Sequence, residues 1–150
     1  MKINSYTQQS PIFQAYNFYN SIQSFYARGL KEHHVNFVQA LILLTLYFEG
    51  KSKITPMSLV KNLGISKSSI SQALSSLEQA GWLKRKMDEE DARSLSLVLT
   101  ADGKKHANKL IPIFHGIEKT IEAKLSKEQL KELCTSLNVI STILLEEGKS

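Results

Sequence analysis

A chain of 150 residues, 42% hydrophobic and 22% charged, is long enough to bury one core and too ordinarily charged to be a disordered tail, so one compact domain is expected. No apolar run approaches the roughly 18 residues that a bilayer span needs, and Met1 to Ser10 lacks the apolar core of a secretory signal, which predicts a cytosolic protein. The net charge of +5 is concentrated, because residues 51–105 hold ten Lys/Arg against six Asp/Glu. That excess favours polyanions through counterion release without choosing among them.

From Pro11 to about Leu30, the side chains Phe13, Tyr16, Tyr19, Ile22, Phe25 and Tyr26 recur at three- and four-residue spacing. This is the pattern of a helix with one buried stripe, and it predicts an interface element. His34 to Phe48 contains the nearly all-apolar segment ALILLTLYF and closes at Gly50. It is too short to cross a membrane and suits a core helix buried on most sides.

After the turn EGKSK, Thr55 can cap a short helix, and Pro56 stands where its missing N–H costs nothing. The predicted helix runs from Thr55 to Asn62, with Leu59, Val60 and Leu63 inward, and Gly64 ends it. Ser66 can cap the next helix, whose inner stripe is Ile70, Leu74 and Leu77 and whose stop is Gly81.

Trp82 to Lys86 and Arg93 to Leu99 read as two short strands. In the second, Leu95, Leu97 and Leu99 alternate with Ser94, Ser96 and Val98, so one face of the ribbon packs down. Thr100 then precedes a helix to about Lys124 that carries Leu110, Ile113, Phe114, Ile117 and Ile121 on one side and that Pro112 is expected to bend. Ser126 with Gln129 makes a capping box for a last helix, whose stripe is Leu130, Leu133, Leu137, Ile140 and Leu144.

The expected fold class is therefore mainly α with a small β-hairpin wing. Helix, tight turn, helix and hairpin over residues 51–105 form a winged helix-turn-helix. A helix serves the major groove when one face anchors it and the other carries short donors and acceptors. Lys67, Ser68, Ser71, Gln72 and Ser75 share the face away from Ile70, Leu74 and Leu77. Gln72 can pair with the N6 and N7 of adenine, while Ser68, Ser69 and Ser71 can serve phosphates or bases. A solvated Ser-rich face is the plainer alternative.

Beside this helix the hairpin can send Arg93 into the minor groove, with Asp91 directing its guanidinium and Arg85 supporting the wing. On its own, an acidic hairpin tip with one arginine reads as an ordinary surface loop.

The segment SLVKNLGISKSSISQALSSLEQAGWLKRKMDEEDARSLSLVLTADGKK resembles the reader of the MarR family, the multiple antibiotic resistance type of bacterial regulator. Leu77 and Glu78, Gly81-Trp82-Leu83, Asp91-Ala92-Arg93, and Leu99-Thr100 with Gly103 stand in that family's order and spacing. The resemblance implies a homodimer in which residues 1–32 and 108–150 supply the dimerisation helices. It further implies a double-stranded DNA partner, an operator of pseudo-palindromic sequence, and repression. It departs at Gln72, where many relatives carry arginine. The competing expectation is a dimeric interaction module that kept the fold without specific DNA binding.

The resemblance also implies control by small aromatic or phenolic ligands, by cysteine oxidation or by zinc. Tyr16, Tyr19, His34, Phe37 and Tyr47 are candidate lining for an effector pocket, although aromatics at helical spacing more often form plain core. Cys134 lies near the Leu130 and Leu137 stripe, where burial would leave its thiol inert. The four histidines offer no helical chelating pair, so no metal and no cofactor is expected. No phosphate-cradling loop or nucleophile elbow points to an enzyme.

Overall fold

The computed structural model describes residues 3–49, 53–87 and 95–148. Among them run seven α-helices and one hairpin: α1 (Ile3–Gln9), α2 (Pro11–Gly29), α3 (Phe37–Phe48), α4 (Pro56–Leu63), α5 (Lys67–Gln79), β1 (Leu83–Met87), β2 (Leu95–Leu99), α6 (Ala101–Glu122) and α7 (Lys127–Glu147). They divide into two compact units. One spans Gln23–Ile113, and the other takes the residues up to Ile22 and those from Phe114 onward.

In the first unit α3 begins at Phe37, three residues later than the apolar pattern predicts. Asn36 Oδ1 accepts from the Gln39 backbone amide at 2.9 Å, and the Asn36 backbone amide donates to Gln39 Oε1 at 2.8 Å. This reciprocal cap satisfies two N–H groups that would otherwise be orphaned. Lys31–His33 forms a 3-10 turn closed by His34 in the left-handed conformation, φ 53°, which cannot continue into a helix.

α3 buries Ala40, Ile42, Leu43, Leu44 and Leu46, the core helix the sequence predicts. Leu59, Ile70, Leu74, Leu77, Leu83, Leu97 and Leu110 pack into the same buried set. Each such side chain contributes about 1.5–3 kcal/mol relative to exposure.

β1 and β2 pair antiparallel, with Leu83 opposite Leu99 and Met87 opposite Leu95. Strand alternation puts Leu83, Arg85 and Met87 on one face with Leu95, Leu97 and Leu99, and Lys84, Lys86, Ser96 and Val98 on the other. Leu83 and Leu97 are buried, whereas Met87 and Leu95, further along the ribbon, are exposed. The Leu97 amide also donates to the Ile54 carbonyl at 2.8 Å, which joins the ribbon to the segment before α4. Arg93 and Asp91 lie outside the described residues, as does the tip of the wing.

In the second unit, Ser126 and Gln129 form the predicted capping box of α7, with bonds of 3.2 and 2.8 Å. Neither α2 nor α7 has a fully buried residue. Of the predicted stripes, Phe13, Tyr16 and Tyr19 of α2 and Leu133 and Leu144 of α7 are exposed, whereas Ile22, Phe25, Tyr26, Leu130, Leu137 and Ile140 are half-buried. A groove of about 340 Å³ runs between the helices, walled by Pro11, Ala15 and Phe18 on one side and Leu133, Leu137 and Ile140 on the other.

Cys134 is exposed, which corrects the expectation that its position beside the stripe buries it. The stripe marks a face that the chain does not cover by itself. Among the described residues no helix is long and apolar enough to cross a membrane.

Candidate nucleic-acid interface

The site begins with two capped helices. The Ser58 amide donates to Thr55 Oγ1 at 3.1 Å, and Ser58 Oγ accepts from the Thr55 amide at 2.9 Å, so the capping box uses serine where glutamate is commoner. Pro56 occupies the first turn of α4. The helix ends at Gly64, φ 63°, a conformation that glycine adopts freely.

Two residues later the Ser66 hydroxyl accepts from the Ser69 amide at 3.2 Å and starts α5. The same hydroxyl lies 2.9 Å from Ser69 Oγ and 3.1 Å from Ser68 Oγ. The Ser68 and Ser69 hydroxyls are therefore engaged in the cap, and Ser69 is half-buried.

α5 has two distinct faces. Ile70, Ala73, Leu74 and Leu77 are buried, while Lys67, Ser68, Ser71, Gln72 and Ser75 are exposed. Ser76 Oγ donates back to the Gln72 backbone carbonyl at 3.1 Å. The buried face fixes the helix, and the exposed face carries the donors and acceptors that could meet a duplex.

α5 ends in a Schellman motif: the Trp82 amide bonds to the Leu77 carbonyl at 3.0 Å, and Gly81, φ 75°, donates to Glu78 at 2.9 Å. This turn delivers the chain straight into β1. Glu78 on α5 then holds Arg85 on β1 by a charged bond of 2.8 Å, with both side chains about one-third exposed (34% and 32%). Arg85 thus ties the hairpin to the helix.

A cavity of about 480 Å³ opens beside this pair, with Pro56, Met57 and Val60 of α4, Lys67 and Ser71 of α5, and Leu95 of β2 in its wall.

The structure does not gather the five aromatic and histidine candidates into either cavity described above. Phe37 packs on Tyr26 with ring centroids 4.7 Å apart, and the Tyr47 hydroxyl donates to Asn108 at 3.4 Å. Tyr16 faces Phe13 at 6.3 Å, Tyr19 is exposed, and His34 occupies the left-handed end of its turn.

His106, which the sequence marks only as a histidine without a chelating partner, makes contacts of its own. Its ring stacks on Trp82 at 3.7 Å, and its Nε2 meets the His33 carbonyl at 2.9 Å. The partners are 24 and 73 positions away, so no local pattern could have signalled them.

A capped helix, a glycine turn, a second helix anchored by one face and free on the other, and a hairpin bonded to that helix define a winged helix-turn-helix protein. Residues 33–94 match the model of the MarR family.

Among curated relatives, the Escherichia coli transcriptional repressor MprA is 29% identical over 72% of this chain and 63% of its own length. The Dickeya dadantii regulator PecS is 36% identical over 61% of this chain and 56% of its own length. The chain thus spans less than two thirds of the length of these relatives. A Staphylococcus aureus MepR–DNA complex matches the fold with a TM-score of 0.83, covering 91% of this chain and 98% of that one at 20% identity.

Proposed function

We propose that this protein is a cytoplasmic, sequence-specific double-stranded DNA-binding transcriptional regulator, a repressor, that acts as a homodimer on a pseudo-palindromic operator. The outer face of α5 carries the reading: Lys67, Ser71, Gln72 and Ser75 are exposed on a helix whose opposite face is buried. The basic excess of residues 51–105 supports it, as do the repressor activity named for MprA and the DNA bound to MepR. The dimer is supported by the exposed apolar side chains along α2 and α7, among them Phe13, Tyr16, Leu133 and Leu144, since contiguous exposed apolar surface marks an interaction site.

In this reading α5 enters the major groove. Gln72 pairs with an adenine edge, Ser71 and Ser75 bond to bases or phosphates, and Lys67 with Ser68 meets the backbone at the positive end of the helix. The wing lies along the next minor groove and inserts Arg93, directed by Asp91. A two-fold axis places the second α5 roughly 34 Å away, one helical turn along the same side of the duplex. Occupying an operator that overlaps a promoter blocks transcription sterically.

Selection from a pool of random duplexes, followed by a salt titration, tests the proposal. Enrichment of an inverted repeat whose binding weakens steeply with salt is expected. Equal retention of all sequences would overturn it.

A further inference from the structure

Three rings from distant parts of the chain meet at the root of the hairpin. His106, on the second turn of α6, lies nearly flat on Trp82, with centroids 3.7 Å apart and planes 17° from parallel. The His33 ring meets it edge-on at 6.1 Å and 85°. His106 Nε2 is 2.9 Å from the His33 carbonyl oxygen. A carbonyl can only accept, so Nε2 carries the proton, and Nδ1 is the atom left to take up a second one.

Trp82 is itself held on both sides of its peptide. Its amide donates to Leu77 at the end of α5, and its carbonyl accepts from the Thr100 amide at 3.1 Å. One imidazole thereby links the end of the reading helix, the start of the hairpin, the start of α6 and the turn before α3.

We propose that His106 is a positioning residue for DNA reading: its neutral ring holds the root of the hairpin and the end of α5 to α6 and to the turn before α3, and protonation of Nδ1 loosens that joint. This role rests on the DNA reading above, whereas the titration of the joint does not.

The groups around His106 do not favour a second proton. Lys109 follows on α6, and His33 and His34 approach from the turn. Of the carboxylates on the first two turns of α6 and on the turn before α3, Asp102, one turn back on α6, pairs with Lys105 at 3.6 Å, and Glu32 is exposed. On the hairpin side, Lys84 is exposed and Arg85 is bound to Glu78. Burial holds the His106 pKa below the ordinary histidine value; the His33 carbonyl pulls the other way, and His33, Lys109 and His34 add to the depression.

Trp82 is the only tryptophan in the chain, so its emission reports on the joint directly. An imidazolium stacked on an indole quenches its emission, and a neutral imidazole does so far less. The experiment follows Trp82 emission and operator affinity from pH 8 to pH 5 in the full chain and in the His106→Gln, His33→Asn and His34→Asn variants.

In the wild type both signals should fall together, with a midpoint below about 6.5 and an affinity loss of about tenfold per protomer one pH unit further down. His33→Asn and His34→Asn should keep both transitions. His106→Gln should bind several-fold more weakly at pH 8 and lose both. If His106→Gln does not fold, the two other variants still assign the transition.

Flat emission in the wild type, or a transition that disappears with His33 or His34, would overturn the proposal, as would quenching with no change in affinity. A clear emission transition in a protein that binds no duplex at any pH would overturn the DNA reading, and with it the role given to His106, while leaving its titration intact.

Discussion

Gly103 stands so close beneath the Trp82 carbonyl that a Cβ at position 103 would overlap both the oxygen and its carbon. The first turn of α6 is pinned there by Thr100, whose hydroxyl donates to the Gly81 carbonyl at 2.7 Å and accepts from the Gly103 amide at 3.0 Å. Because the obstacle is backbone held from both sides, Gly103→Ala should destabilise the protein by about 2–3 kcal/mol. At Gly64 the space is open and only the left-handed backbone resists a side chain, so Gly64→Ala should cost about 1 kcal/mol. Urea denaturation midpoints check the order, and equal losses would contradict the close approach.

The Glu78–Arg85 pair joins the reading helix to the hairpin but is one-third exposed, so it stabilises the fold by less than about 1 kcal/mol. Its proposed value is geometric. Arg85→Ala and Glu78→Ala should each weaken operator binding about fivefold with little change in denaturation midpoint. The double variant should be no worse than either single one, as a double-mutant cycle would show. Additive losses would mean that each residue acts alone.

Gln72→Ala should cost about 1–3 kcal/mol on the selected operator and relax preference at one symmetric base-pair position. Arg93→Ala should weaken binding to most sequences and lower the salt slope by about one per site. Competition binding against operators altered at single positions separates the two. Equal losses on specific and scrambled DNA for Gln72→Ala would remove it from the base-reading set.

His106 also sets a direction for stability. Its pKa is depressed in the folded chain below the ordinary histidine value of 6.5, so as the pH falls through about 6.5 the unfolded chain takes up this proton first. Stability is therefore unaffected by this group above that range and declines as the pH falls toward the lower folded value. Thermal midpoints measured from pH 7.5 to 5 should drop further for wild type than for His106→Gln. A larger drop in the variant would reverse the sign.

The reader was legible because its boundaries are written in local chemistry. Thr55 with Pro56, Gly64, Ser66 and Gly81 each satisfy or release backbone groups within a few residues, and all four boundaries fall where those residues place them. The start of α3 was misread because the apolar run draws attention ahead of the cap, although Asn36 and Gln39 three residues apart were the signal. α1 has no apolar periodicity to announce it.

Cys134 is exposed because a stripe records what a helix needs to cover, and a single chain covers this one only in part. The Trp82–His106–His33 joint could not be read at all, since it exists only once distant segments have packed. For α5 the division into buried and exposed faces was legible. The engagement of Ser68 and Ser69 by Ser66 was not, because it depends on hydroxyl orientations within the cap.

Paired reading requires two copies of α5 to enter successive major grooves from one side of a duplex. Inserting five base pairs between the half-sites of the selected operator turns the second half-site to the opposite side, about half a helical turn away. Measured by fluorescence anisotropy at fixed salt, affinity for that duplex should fall to the level of random DNA and recover when ten base pairs are inserted only as far as the dimer can stretch. Undiminished affinity after the five-base-pair insertion would contradict the paired reading.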